Sequence, residues 1–270
     1  MNFKDSGSFR LNEFRFSPIG YIETQEIYPA ESPRQPQLGG QSPGLIRLVP
    51  NNDLLLALDG LSEFSHIWVL FVFHHNKNWK PLIQPPRPDL NKKGVFASRA
   101  PYRPNPIGQS VVAIDKIDEW EIHFSQHDFL TGTPVLDIKP YIPYYDSIPE
   151  AHPGWFTPIS LYKIHYHLSS LQALEFLKNQ GLHLESVIHT QLSTYPTHPQ
   201  GKRIQILEDP HYELAFRTWR IYFEVNREKQ EVRILSLASS YTLHELNSDD
   251  DPYNDKEIHR KFARQFPQNR

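Results

Sequence analysis

Cysteine is absent from the 270 residues. That excludes disulfides, thiolate metal ligands and a cysteine nucleophile, and it fits a reducing compartment. No apolar run approaches the ~20 residues that a membrane span needs, and the opening MNFKDSGSFR lacks the apolar segment of a signal peptide. A cytoplasmic protein without membrane attachment is expected. A global excess of positive charge is also missing: the net charge is −3 at pH 7. The broad basic footprint of a nucleic-acid binder is therefore absent, although a local patch can serve instead. There is no G-x-G-x-x-G after a strand and no G-x-x-x-x-G-K-[ST], which excludes a dinucleotide fingerprint and a P-loop. The 14 histidines form no H-E-x-x-H. DDDPYND at 249–255 lacks the glycine and closing glutamate of a calcium loop, so it reads as a solvated acidic loop and no metal site is expected.

What is present suits a folded, mainly β chain. Hydrophobic residues make up 39% and aromatics 13%, enough for real cores. FRFSPIGYIET, GLIRLVP, HIWVLFVFHH, GVFAS, SVVAIDKI, WEIHFSQHDF and PVLDIKPYI are short, rich in β-branched and aromatic residues, and bounded by Gly, Pro, Asn or Asp. IWVLFVF, apolar throughout, predicts a central strand covered on both faces. NNDLLLALDGLSEFSH predicts one or two helical turns entered through Asn or Asp. Many short strands with proline-rich turns favour a barrel or sandwich over a βαβ fold. After AHPGW the pattern changes to two helices broken near Gly181 and a hairpin turning near Arg227–Gln230. The predicted organisation is an extension at 1–13, a β domain at 14–157, a smaller α+β domain at 158–245, and a polar tail at 246–270 that can end in a short basic helix.

Chemistry concentrates in a few strings. FASRAPYRPNPIGQS, residues 96–110, sets Arg99 and Arg103 among three prolines. Proline fixes φ and restrains the residue before it, so this is a stiff loop with little freedom left to lose. Such a loop suits anion recognition and equally suits a plain surface connection. Gly108 allows a close backbone approach or supplies a positive φ in a turn, the latter being the simpler reading. PRQP at 33–36 repeats the arginine-proline theme. FVFHHN ends an apolar strand on His74, His75 and Asn76, which can be functional or can be satisfied strand-end residues. Asp137 and Lys139 stand two apart in a strand and share a face, as an acid/base pair or as a salt bridge. Tyr141, Tyr144 and Tyr145 serve as stacking platforms or as packing.

Together, PRQP, IWVLFVFHHN, GVFASRAPYRPNPIG and GTPVLDIKPYIPYYDSIP, with their spacing, resemble the TsaA/YaeB family of tRNA methyltransferases over residues 14–155; the C-terminal half matches more loosely. The resemblance implies an N-terminal β-barrel that binds S-adenosylmethionine (SAM) and a homodimer with the cofactor near the subunit interface; the smaller α+β C-terminal domain is expected to contact tRNA or else to brace the dimer. It implies methylation of N6 of threonylcarbamoyladenosine (t6A), 3′ of the anticodon in threonine tRNA. DNA and membranes are not expected partners. The cofactor residues it implies are Pro33, Arg34, Gln35, His74, His75, Arg99, Asp128, Phe129, Leu130 and Thr131. Where the family commonly has Asp before GTP, this chain has Thr131, which keeps a backbone contact and loses a carboxylate one.

The catalytic set is Asp137, Lys139, Arg99, Arg103 and Asn105. Arginine forks match the carboxylates of SAM and t6A. Asp137 takes the N6 proton with Lys139 holding it, or Lys139 clamps the threonyl carboxylate and Asp137 is structural. Arg103, Tyr141, Arg217, Trp219 and Arg220 are the expected RNA contacts. Two rival readings stand: another RNA or a small molecule as acceptor, and a SAM-binding module without catalysis.

Overall fold

The computed structural model describes residues 14–29, 31–33, 35–36, 42–85, 90–156, 161–198, 202–251 and 253–267. Its N-terminal half contains, in chain order, β1 (Gly20–Thr24), β2 (Gly44–Leu48), α1 (Asn52–Leu56), β3 (His66–Val72), the short ribbon β4 (Leu82–Ile83) and β5 (Lys93–Gly94), β6 (Ile107–Ala113), β7 (Lys116–Asp118), β8 (Glu121–Phe124), β9 (Pro134–Pro140) and α2 (Pro143–Asp146). Seven strands form one antiparallel sheet in the order β6-β3-β9-β1-β2-β8-β7.

The two outer strands, β6 and β7, are successive in the chain with only Ile114 and Asp115 between them. Ile114 N–H donates to Ser65 O at 2.9 Å and Asp115 N–H to His123 O at 2.8 Å. One end of the sheet thus runs directly into the other, and the sheet must curl to allow it. Among the described residues no ladder joins β6 to β7. The expected barrel is therefore a curled sheet without a hydrogen-bonded closure.

Within it, β3 alternates. Ile67, Val69 and Phe71 are buried, whereas Trp68, Leu70 and Val72 are half-buried on the other face. The continuous apolar run predicted a strand covered on both faces, but β3 lies next to edge strand β6 and buries one face only. GVFAS, expected as a strand, forms a 3-10 turn at Val95–Ala97. The helix after Pro50 does start as expected: the Asn51 side chain accepts from Asp53 N–H at 2.9 Å and caps α1.

The C-terminal half contains β10 (Lys163–Tyr166), α3 (Leu168–Asn179), α4 (Leu184–Leu192), β11 (Ile204–Glu208), β12 (His211–Phe216), β13 (Trp219–Asn226), β14 (Glu231–Ser239), α5 (Leu243–Asn247) and α6 (Lys256–Gln265). Five strands order as β10-β14-β13-β12-β11, with β10 parallel to β14. Gly181, at φ +84°, separates α3 from α4. A second core, distinct from that of the first sheet, gathers Leu177, Ile188, Trp219, Phe223, Ile234 and Phe262. The last of these belongs to the stretch expected as a polar tail. α6 buries Lys256, His259 and Phe262, and Asp251, expected in a solvated loop, accepts from Asp255 N–H and Lys256 N–H at its start. No helix among the described residues is long and apolar enough to cross a membrane.

Candidate active site

The proline-rich loop divides its two arginines. Arg103 Nη1 donates to the carbonyls of Val95 at 3.2 Å and Ser98 at 2.9 Å, and its guanidinium lies 5.8 Å from the Phe96 ring centre. It closes the Val95–Ala97 turn and so shapes the loop from inside. Trp155 Nε1 donates to Ala97 O at 2.8 Å, and Lys80 N–H to Tyr102 O at 3.0 Å, fastening the loop from outside. Arg99 is exposed and reaches away from the loop, its Nη1 donating to Gln35 Oε1 at 2.7 Å. Asn105 is exposed, and its backbone oxygen accepts from Ile107 N–H at 2.7 Å. Gly108 has no positive φ. It lies in β6, where an added Cβ would stand 2.3 Å from the Phe71 ring, so close approach and not a turn explains it.

The loop between β8 and β9 brings a carboxylate to Arg99. Burial pushes Asp128 up to about 6, and the Ser110 hydroxyl and the Arg99 charge pull it back only in part. Its Oδ1 is enclosed and has no hydrogen-bond partner among the described residues. A buried acceptor left unmade costs free energy, so it marks a place where a donor fits. Ser110 was not legible as a site residue. The only signal was a hydroxyl on the buried phase of β6.

Neighbours of Asp128 serve the core. Phe129 is 1% exposed and packs edge-on against Phe71 and Phe124, so only its backbone is left for a ligand. His127, held down to about 4 by burial, accepts from Phe129 N–H at 3.2 Å. Its Nε2 lies 3.5 Å from Glu26 Oε2, whose carboxyl burial raises. Thr131 turns its hydroxyl toward β1, accepting from Thr24 N–H at 3.4 Å, and donates its own N–H to Glu26 O at 2.8 Å. Leu130 O accepts from Thr133 N–H. The Thr133 hydroxyl lies 3.4 Å from His74 Nδ1, and the His74 and His75 rings are 4.1 Å apart. Burial and the charge of His75 lower His74. Pro33 is buried; Arg34 lies outside the described residues.

Asp137 and Lys139 face outward from β9, and Asp137 Oδ2 meets Lys139 Nζ at 2.6 Å. The side chains are 45% and 61% exposed, so a substrate can reach both. Asp137 Oδ1 also accepts from Ile138 N–H at 2.9 Å. Tyr141 packs edge-on against Trp68 at 5.6 Å on the same side of the sheet. Among the described residues, Arg99 bonds Gln35, Ser110 bonds Asp128, and the Arg99 charge is felt at Asp128; no hydrogen bond or ion pair joins these residues to the Asp137–Lys139 pair.

Residues 21–147 match the family model described as the tRNA-methyltransferase O (TrmO) N-terminal domain. The chain is 41% identical over 172 residues to RcsF of Pseudomonas aeruginosa, provisionally named an S-adenosylmethionine-dependent methyltransferase; the match covers 62% of this chain and 70% of that one. The chain belongs to the TrmO family. A crystal structure of TrmO from Pseudomonas aeruginosa has a TM-score of 0.63 at 30% identity, covering 84% of this chain and all of the other. Identity to the tRNA (adenine(37)-N6)-methyltransferase of Escherichia coli K12 is 39% over 148 residues, 52% of this chain and 63% of that enzyme.

The match to the TrmO domain ends before the C-terminal half, where the expected RNA contacts need correction. Trp219 is 2% exposed and stacks on His259 at 3.9 Å, so it offers no ring face to a base. Arg217 forms an ion pair with Glu31, Nε to Oε1 at 2.7 Å and Nη2 to Oε2 at 2.7 Å. Arg220 pairs with Glu213 at 3.3 Å and donates to Trp219 O at 2.9 Å. Arginine mixed with aromatics in RTWRIYF suits phosphate contact and base stacking, or equally an ordinary hairpin strand; β13 buries Trp219 and Phe223, and Arg217 in the turn and Arg220 in the strand are paired with acids.

Proposed function

We propose that this TrmO-family chain transfers a methyl group from SAM to N6 of t6A in threonine tRNA, acting as a homodimer. The coarser activity, that of a SAM-dependent tRNA adenine-N6 methyltransferase, follows from the family and from relatives that carry that name. The observation that carries the cofactor assignment is the unpartnered Asp128 Oδ1 enclosed beside Arg99.

Those residues fit the cofactor. SAM carries an ammonium, ribose hydroxyls and a carboxylate, and it supplies an electrophilic methyl on a sulfonium. Asp128 offers an acceptor to the ammonium or a hydroxyl, and Arg99, already oriented by Gln35, offers a fork to a carboxylate. His74 and the backbone of residues 128–131 complete the set. The exposed Asp137–Lys139 pair is reserved for the nucleotide. N6 of t6A keeps one proton and is a weak nucleophile until it loses it. Asp137 takes that proton while Lys139 stabilises the charge, or Lys139 holds the threonyl carboxylate; the 2.6 Å contact keeps either role within reach. Local stiffness of the Arg99 loop supplies positioning, which can account for much of a transfer rate.

Methyl transfer from labelled SAM to threonine tRNA, with and without t6A, tests this. Label is expected only on t6A-bearing tRNA. Arg99→Ala should lower cofactor affinity roughly ten- to hundredfold, as for a lost charge-assisted bond. Asp137→Ala should lower kcat by about 10²–10⁴ with cofactor binding retained, as for a lost general base. Equal label on both tRNAs overturns the role of the threonyl carboxylate. Label on neither, with SAM still bound, overturns the substrate and favours another acceptor or a binding module.

A further inference from the structure

We propose that Arg217 is a positioning residue for the cofactor loop: the C-terminal half holds the segment that presents Gln35 to Arg99. The inference rests on the reading above that Gln35 and Arg99 line the cofactor site. It starts from a backbone oddity. Arg217 occupies the two-residue turn between β12 and β13 with φ +50°. The left-handed region costs a non-glycine residue about 1–2 kcal/mol, and such strain persists only where its surroundings enforce it.

The two-residue hairpin itself calls for a positive φ at this position, and the side chain it places there reaches the other half of the molecule. The Arg217 guanidinium grips both Glu31 oxygens at 2.7 Å and, through Nη2, the backbone oxygen of Gln25 at 3.0 Å. One side chain therefore ties two points of the N-terminal chain six residues apart. Glu31 is only 6% exposed, and its Oε2 also accepts from Ile27 N–H at 2.8 Å and Tyr28 N–H at 3.2 Å. The carboxylate is thus the internal fastener of its own turn, and Arg217 neutralises it. Four residues further on, Gln35 accepts from Arg99. A turn that loosens at Glu31 loses the anchor from which Gln35 reaches Arg99, and Arg99 is the cation beside Asp128.

A plain brace between halves would look different. Gln25 supplies such a brace: its side chain donates to His183 O at 3.2 Å, Ser186 Oγ at 3.1 Å and Glu26 Oε1 at 3.3 Å, and accepts from His183 N–H at 3.1 Å, without a bond to Glu31 or Gln35. Arg217 uses only the Gln25 backbone oxygen, so Gln25→Ala removes the side-chain brace and keeps the Arg217 contact.

The experiment compares SAM affinity by calorimetry, steady-state kinetics, melting temperature and amide exchange for the full-length wild type, Arg217→Gly, Arg217→Lys and Gln25→Ala. Glycine takes the left-handed turn freely, so Arg217→Gly removes the guanidinium without straining the hairpin. Its Kd and KM for SAM should rise by about tenfold, with kcat at saturating SAM changed far less. The amides of Ile27 and Tyr28 should exchange faster. Arg217→Lys, charged but unable to fork, should fall between. Gln25→Ala should lower the melting temperature and leave the SAM Kd within about twofold. An unchanged SAM Kd in folded Arg217→Gly overturns the proposal, as does a Kd that tracks melting temperature alike across all variants. Should Arg217→Gly not fold, Arg217→Lys against Gln25→Ala decides the same comparison. Failure of the wild type to bind SAM refutes the functional reading itself and is seen before any variant is measured.

Discussion

Two residues in the proline-rich segment show how one side chain can be legible in type and illegible in role. Arg99 and Arg103 look equivalent in sequence, yet Arg103 spends its donors on Val95 and Ser98 of its own loop while Arg99 reaches Gln35. Gly108 looks like a turn glycine and is a packing glycine. Its alanine variant would put a methyl carbon 2.3–2.8 Å from three Phe71 ring atoms. Phe71 is itself wedged edge-on between Phe73 and Phe129, so it has little room to retreat. Gly108→Ala should therefore cost about 1–3 kcal/mol by overpacking, read as a lower urea midpoint with unchanged slope. A loss below ~0.5 kcal/mol, the usual range of surface changes, would show that the glycine is there for another reason. The motif strings themselves were legible because they are long and unusual. Through the resemblance they also placed Gln35, Arg99 and Asp128 at one site; Ser110 was not legible, because it bonds Asp128 from a different strand and nothing in the local pattern marks that contact.

Element types followed from local pattern wherever the pattern reflected burial. Strands β6, β8, β9, β13 and β14 and the break at Gly181 fall where alternation and turn residues put them. The tail does end in a helix, α6; what its pattern hides is how firmly it docks, because two of its three buried residues, Lys256 and His259, are polar beside Phe262. A buried polar residue is tolerated chiefly through its partners, and here Lys256 Nζ and His259 Nε2 have them, while His259 Nδ1 has none among the described residues. Lys256 Nζ donates to Glu245 O and to Ser248 Oγ. His259 meets the Thr218 hydroxyl at 2.9 Å and lies flat on Trp219, while Asp255 accepts from Thr218 and Tyr241. The helix is thereby joined to β13 by hydrogen bonds that sequence periodicity cannot reveal. Phe262 adds the apolar contact, edge-on to Trp219 at 5.0 Å. Phe262→Ala should cost about 3–5 kcal/mol. In amide exchange, α6 and β13 should lose protection together; loss confined to α6 would mean that the helix is an appendage.

Across the whole molecule, the two halves carry different acid responses. In the C-terminal half burial lowers His183, His189 and His259, the last to about 4. An unfolded histidine titrates near ~6.5. Between those values the unfolded chain takes up a proton that the folded ring refuses, so stability falls as pH drops through the window. Glu245 and Asp209, held below their usual range by Thr242 and Tyr212, add loss of the same sign at lower pH. The N-terminal half has depressed histidines too, His127 and His74, and one carboxyl, Glu23, that Arg47 holds down, but sets them against carboxyls that burial raises, Asp128 and Glu26. A raised carboxyl holds its proton in the folded state before the unfolded one does, so acidification relieves its burial cost and favours folding. The opposing signs offset in the first half and accumulate in the second. Between pH 7 and 4.5 the opening free energy of β13 amides should therefore fall more than that of β3 amides, after correction for intrinsic exchange rates. Equal falls, or a larger fall in β3, would contradict the assignment of these groups. His259→Gln separates the titration from the packing: it should weaken β13 at pH 7, where the stack on Trp219 is lost, yet leave a shallower dependence on pH.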